Sequence, residues 1–306
     1  MPNYRTKLSS SPEDPLARAK LFGIGSAGCN MIEGAPFPTV AFSTSSADIA
    51  RSHADRKVLI GQDRLIGAAD SGPELIKKLP SVVGHELFDV FNNTELAFIM
   101  CGLGGTTGSL GSKMFCSIAK AKGATSLVFA AMPFSAESFR RREIASKTVQ
   151  ELVGLSSLCV VFDNDKLSSL APNLALSRAF GLLNNIMMRP VVDLCATVSR
   201  NDIPVIRTAV GDAAYSRFGL GMARGDDRVL RTVSEALSSP WFDFDLKEAT
   251  ACVAIYSSAD PWDKEVSNIL GALEERLPSA NVIWGSYPDA KLGERIRLSL
   301  LVCKKL

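Results

Sequence analysis

Short, uninterrupted apolar runs recur through the first half of the chain at 21–23, 39–42, 58–60, 96–100, 126–131 and 158–162, with polar or amphipathic stretches of helical length between most of them. A run that is apolar at every position suits a strand covered on both faces, so this alternation predicts a parallel sheet wrapped by helices. From about 172 to 194 the period changes: Leu176, Phe180, Leu183 and Met187 fall on one stripe at helical spacing. This predicts a long helix joining two halves, kinked or ended by Pro190. Beyond it the chain reads helix (228–238), strand (251–256), helix (261–277), strand (280–284) and a last strand (295–303). The expected fold is α/β: a doubly wound, mostly parallel nucleotide-binding sheet joined by a long central helix to a smaller α/β domain. The boundaries fall at 1–18 (a polar, disordered tail), 19–171, 172–198 and 199–306.

Composition narrows the function. With 306 residues and 46% hydrophobic positions the chain can bury a large core. Its 34 basic and 32 acidic residues leave a net charge of +2, so no global field recruits nucleic acid or an anionic membrane. Seven cysteines stand singly without C-x-x-C spacing, mostly inside apolar runs, as buried thiols of a reducing cytosol do. His53 and His85 are the only histidines, are read as surface residues, and no His or Cys cluster suggests a transition-metal site. The polar N-terminus lacks the apolar centre of a signal peptide, and nothing approaches the ~18 apolar residues of a membrane span. A cytoplasmic protein with no nucleic-acid partner and no direct membrane insertion is expected.

The chemistry concentrates in two glycine loops. In the second, Gly102, Gly104, Gly105, Gly108 and Gly111 are interleaved with Thr106, Thr107 and Ser109, between the run 96–100 and a helix-like stretch at 112–120. A strand, a tight turn and a helix start make an anion pocket: glycines let successive N–H groups converge, the helix adds its positive end, and the hydroxyls donate. A purely structural turn would need only two or three of these glycines. In the first loop, Gly23, Gly25 and Gly28 match G-x-G-x-x-G, with Asp48 about twenty residues on where a dinucleotide fold places its ribose carboxylate. Taken alone, that loop reads as a nicotinamide-dependent oxidoreductase. The two loops together favour a nucleoside triphosphate, because a dinucleotide fold normally spends one glycine loop on its pyrophosphate. Lys113 follows Ser112, so the lysine-bearing P-loop pattern does not fit.

Two such loops in this order resemble the tubulin/FtsZ superfamily, and most of the chain, from about 20 to 302, can be laid along FtsZ. Gly25-Ser26-Ala27-Gly28-Cys29-Asn30 resembles its first nucleotide loop, whose asparagine touches the base. Residues 102–109 are similar to the signature GMGGGTGT, with Thr106 and Ser109 as substitutions. Pro73-Glu74 resembles the third loop, where the resemblance puts Ala69 against the terminal phosphate. Residues 133–141 fit P-F-x-x-E-G-x-x-R from Pro133; the family role of Glu137 is to take the ribose hydroxyls, and that of Arg141 is to lie near the nucleoside. Asn164-Asp165-Lys166-Leu167 repeats the family's NDKL. Residues 179–185 are similar to AFGAAND, which implies that Phe180 stacks on guanine while Asn184 and Asn185 read its edge. Asn185 replaces an Asp there, giving a weaker but still guanine-compatible acceptor. Phe180 suits plain core equally well, and the two asparagines could instead cap or break the helix.

The resemblance implies GTP/GDP as cofactor, Mg²⁺ beside it, and a head-to-tail homo-oligomer or filament, with an FtsZ-type partner filament as a further possibility. It also exposes departures. The family's NxDxxD loop acts on the neighbouring subunit's nucleotide; here 199–208 keeps Asp202 as the catalytic acid but places Arg200 at the asparagine and Val205 at the second acid. Loss of that carboxylate predicts slow GTP hydrolysis or none. Ser43-Thr44-Ser45 stands where the family has Asn-Thr-Asp, removing another acid near the phosphates. No linker or adaptor-binding peptide follows Leu306, so recruitment by that route is not expected. Two functions follow: a slow FtsZ-like GTPase that forms filaments, or a non-hydrolysing paralogue that modulates another filament.

Overall fold

A computed structural model describes residues 5–8, 18–69, 84–167, 176–211 and 214–305. The chain divides into two compact units, Leu16–Met188 and Met1–Pro15 with Arg189–Leu306. Residues 5–8, expected to be part of a disordered tail, instead open the fold: β1 (Arg5–Lys7) pairs in parallel with residues 282–284. Leu8 is buried and its N–H donates to the Trp284 carbonyl at 2.7 Å. An edge strand needs only backbone pairing and one apolar anchor, so its sequence can stay polar.

The larger unit carries a parallel sheet built from β2 (Ala19–Ile24), β3 (Thr39–Ser43), β4 (Arg56–Leu59), β5 (Leu96–Gly102), β6 (Thr125–Met132) and β7 (Leu158–Asp163). Their order is β7-β6-β5-β2-β3-β4, and every neighbouring pair is parallel. All eight residues of β6 are buried, the two-sided cover that its unbroken apolar run demands. On one face Phe22 stacks on Phe91 at 4.5 Å, and Phe115 meets both Phe22 and Phe42 edge-on. Among the described residues the helices of this unit include α1 (Gly25–Met31), α2 (Ser46–Arg51), α3 (Gln62–Ala69), α4 (His85–Asp89), α5 (Thr106–Ala121) and α6 (Phe139–Leu155). Strand order runs one way from β2 to β4 and the other way from β5 to β7. The reversal lies between β2 and β5, and both of these strands lead directly into glycine loops.

The cut between units falls inside α7 (Leu176–Thr197), which continues through Pro190 where the sequence suggested a kink or an end. An interior proline costs about 3 kcal/mol, and the turn beyond it offsets this: Val191 and Leu194 are buried, and Asp193 Oδ1 accepts from Tyr287 Oη at 2.6 Å. In the smaller unit α8 (Asp202–Val210) precedes β8 (Ala214–Ala223), α9 (Arg228–Leu237), β9 (Ala251–Ser258), α10 (Asp263–Arg276), β10 (Asn281–Pro288) and β11 (Ile296–Lys305). The strands are ordered β1-β10-β9-β11-β8, with β11 antiparallel to both neighbours. β8 is absent from the sequence expectation because Gly219 and Gly221 interrupt its apolar pattern. A methyl on either glycine would strike the backbone of α9, at Ala236 and Thr232, so these glycines let helix and strand pack closely.

Candidate functional site

Because the strand order reverses between β2 and β5, the crevice beyond their carboxyl ends is where an open α/β sheet offers a ligand room. The local sequence shapes it. Gly25 (φ 71°) and Gly104 (φ 87°) take left-handed backbone that other residues rarely adopt. The two loops interlock: a Cβ on Gly102 would lie 2.7 Å from Ala27 Cβ, and one on Gly25 would lie 3.3 Å from the Gly108 nitrogen. Helix α5 begins at Thr106, earlier than its sequence suggests, so Thr106 and Thr107 occupy its first turn. Neither α1 nor α5 has a side-chain cap, whereas α2 and α6 are capped by Ser45 and Ser138. Two uncapped helix starts thus face one crevice, with donors suited to an anion.

The crevice is a cleft of about 520 Å³. At its glycine end lie Gly25, Ser26, Ala27, Gly105, Thr106, Thr107 and Gly108, and Asn30 from the last turn of α1 also lines it. Thr107 Oγ1 is 2.6 Å from Thr44 Oγ1, which ties the loop after β3 to the start of α5. At the other end lie Pro133, Glu137, Arg141, Asn164, Phe180 and Asn184. Glu137 pairs with Arg141 at 2.6 Å and accepts the Phe134 N–H at 2.9 Å. Phe180 is 40% exposed and meets Phe134 edge-on at 5.6 Å, while Leu183 and Met187 on the same helix are buried. Asn164 is buried, and its side-chain carbonyl has no hydrogen-bond partner among the described residues. A buried acceptor left open on a cleft wall is what an incoming donor would satisfy.

Of the other expected residues, Gly28, Cys29, Gly104, Ser109 and Asn185 stand outside the cleft lining. Gly28 lies on the buried side of α1, where a Cβ would overlap the Met100 carbonyl oxygen. Cys29 is buried, with its Sγ near the carbonyls of Gly23 and Phe42; burial, and secondarily Asp48, push the thiol up to about 11. Gly104 and Ser109 shape the loop, since the Ser109 hydroxyl accepts the Gly104 N–H at 3.1 Å. Asn185 is exposed on α7 but does not line the cleft. Ala69 closes α3, and Pro73 and Glu74 lie outside the described residues. Asp202 belongs to the smaller unit, is 6% exposed, and its Oδ2 accepts from Ser199 N at 2.8 Å and Ser199 Oγ at 2.7 Å.

Asp48 lines the cleft beside Ser43 and Ser45 of the loop after β3, whereas the sequence offered it only as a ribose carboxylate. The signal was the S-x-x-D spacing from Ser45 to Asp48, which starts a helix and turns the acid back toward the loop. Behind the cleft, Arg142 bridges Asp163 (2.8 Å) and Asp165, and Asp165 Oδ1 accepts the Ser135 N–H at 2.9 Å. Burial raises the Asp165 carboxyl, but these bonds and the Arg142 charge outweigh it and hold it below its ordinary value. The NDKL stretch therefore braces the loops after β6 and β7.

Residues 33–172 match the Tubulin/FtsZ family GTPase domain, and residues 214–304 match the FtsZ family C-terminal domain. The chain belongs to the tubulin/FtsZ family. A cell division protein FtsZ of Methanothermobacter thermautotrophicus is 33% identical over 304 residues, covering 94% of this chain and 79% of its own. Among solved structures, an empty FtsZ dimer of M. jannaschii superposes with a TM-score of 0.81 at 26% identity, covering 94% of this chain and 88% of the other. CetZ2 from Haloferax volcanii, a GTPγS-bound protofilament, shares the fold with a TM-score of 0.76 at 20% identity, over 93% of this chain and 92% of the other. The larger unit of this FtsZ-family chain is thus its GTPase domain, which implies GTP or GDP as ligand. Among the described residues no helix is long and apolar enough to cross a membrane.

Proposed function

We propose that this chain is an FtsZ-type cytoskeletal protein that binds GTP in the cleft between β2 and β5, assembles head to tail, and hydrolyses GTP slowly. The observation that carries the binding reading is the convergence of two uncapped helix starts on a cleft whose far wall holds a partnerless Asn164 carbonyl. Backbone N–H groups and the hydroxyls of Thr106 and Thr107 suit the phosphates. Glu137 and Arg141 suit the ribose and nucleoside, while Phe180 offers a ring face, and Asn164 and Asn184 offer amide groups, to the base. The oxygen donors at the glycine end also suit Mg²⁺, which would neutralise phosphate charge there. Self-assembly draws its support from relatives described as a dimer and a protofilament.

Slow turnover is supported by Asp202, whose carboxylate is buried and bonded to Ser199, and by the half-buried Val205 where a second acid is expected. Water activation depends on positioned charge, so an acid turned inward contributes little of it. Sedimentation and phosphate release with GTP and Mg²⁺ test the proposal. GTP-dependent pelleting with turnover well below that of an FtsZ run alongside is expected, and turnover equal to it would overturn the slow-hydrolysis clause. The same burial of Asp202 favours a second reading, a non-hydrolysing paralogue, which is identified by pelleting only with another FtsZ filament.

A further inference from the structure

The glycine end of the cleft contains a feature that opposes anion binding. Its helix starts and hydroxyls are donors, yet Asp48 lines the same cleft as Gly25 and Thr107. Asp48 is fixed there: Oδ2 accepts from Ser43 Oγ at 3.0 Å, and its backbone N–H donates to the Ser45 hydroxyl at 3.3 Å. Its side chain is 12% exposed, and its counter-ion, Arg51, pairs with Oδ1 at 2.9 Å while remaining 73% exposed. A carboxylate beside a polyphosphate is repulsive unless a cation stands between them. Ser45 leaves the preceding loop without an acid, so among the described residues Asp48 is the carboxylate at this end of the cleft lining.

Resting on the proposed guanine-nucleotide reading, we infer that Asp48 is a positioning residue that makes nucleotide binding depend on a divalent cation, with Arg51 as its counter-ion when the cation is absent. With the cation present, the carboxylate supplies an oxygen to its shell, directly or through water. Without the cation, the carboxylate repels the phosphates, and Arg51 only partly masks it.

Titration of the full chain with GTPγS, in Mg²⁺ and in EDTA, tests this. In Asp48→Asn the ratio of affinities between the two conditions shrinks by roughly 10-fold, the usual scale for losing a supporting metal-site group. Part of that change is tighter binding in EDTA than in the parent. In Arg51→Ala binding weakens in EDTA and holds in Mg²⁺. Equal factors in both conditions for Asp48→Asn, the mark of an acid that serves only the first turn of α2, would overturn the inference while leaving the nucleotide reading intact. Absence of GTPγS binding by the parent in either condition would overturn both.

Discussion

Gly108 in the first turn of α5 lies against the carbonyl oxygen of Gly102 at the end of β5, so closely that a Cβ on Gly108 would overlap it. Gly105, three residues earlier, is open: the nearest atom to its Cβ position is an Arg141 guanidinium nitrogen at 3.9 Å, and its φ of −100° suits any residue. One glycine closes the fold and the other opens the cleft. Gly108→Ala is expected to cost about 1–3 kcal/mol in urea unfolding, the scale of an overpacked core. Gly105→Ala is expected to unfold like the parent but to bind GTP more weakly, because its methyl enters the phosphate end.

Phe180 and Asn164 separate ligand contacts from packing. Phe180→Ala removes a ring that is 40% exposed, so thermal stability should change little while GTP affinity falls by about 1–3 kcal/mol, the value of one stacked base. Phe180→Trp should retain affinity. Asn164→Ala removes an acceptor that nothing among the described residues satisfies, so binding should weaken by about 1 kcal/mol. Calorimetric titration and a melting curve on each variant check both quantities together.

Acid should loosen the brace behind the cleft. The Asp165 carboxyl is held below its ordinary value of 3.8 in the fold, so its contribution is complete above that value and is lost as the pH falls through the depressed one. The pair with Arg142 is about a third exposed, at 32%, which limits the effect to less than about 1 kcal/mol. Asp165→Asn should lower the melting temperature slightly at pH 7 and flatten its decline below pH 4, with the two proteins converging at the acid end.

All seven cysteines are free and buried, and desolvation pushes the Cys101, Cys195 and Cys303 thiols up to about 12. A thiol needs both access and a thiolate to react. The native protein should therefore resist a disulfide reagent at pH 8, and all seven should label once urea unfolds it.

The parallel sheet is legible in the sequence because buried strands carry runs such as 126–131 that have no polar face to hide. The cleft is legible in its glycines, since positive φ at Gly25 and Gly104 admits few other residues. Two strands leave no such trace, for opposite reasons. β1 is polar and rests on backbone pairing plus Leu8, while β8 carries glycines selected by the approach of α9. Asp48 stands at the spacing of a ribose carboxylate, but its place at the glycine end depends on Ser45 starting α2 and on Ser43 holding the side chain, a tertiary outcome that spacing does not encode. A motif records residue type, so it marks Asp202 but not the bonds it accepts from Ser199, which only the fold supplies.

On the proposed function, two glycine loops clasp one guanine nucleotide. Calorimetric titration of nucleotide-stripped protein with GTP, GDP, ATP and NADH tests it most directly. Saturable binding of GTP and GDP at one per chain, much weaker binding of ATP and no heat with NADH is the predicted result. No heat with GTP, or tight binding of NADH in its place, would contradict it.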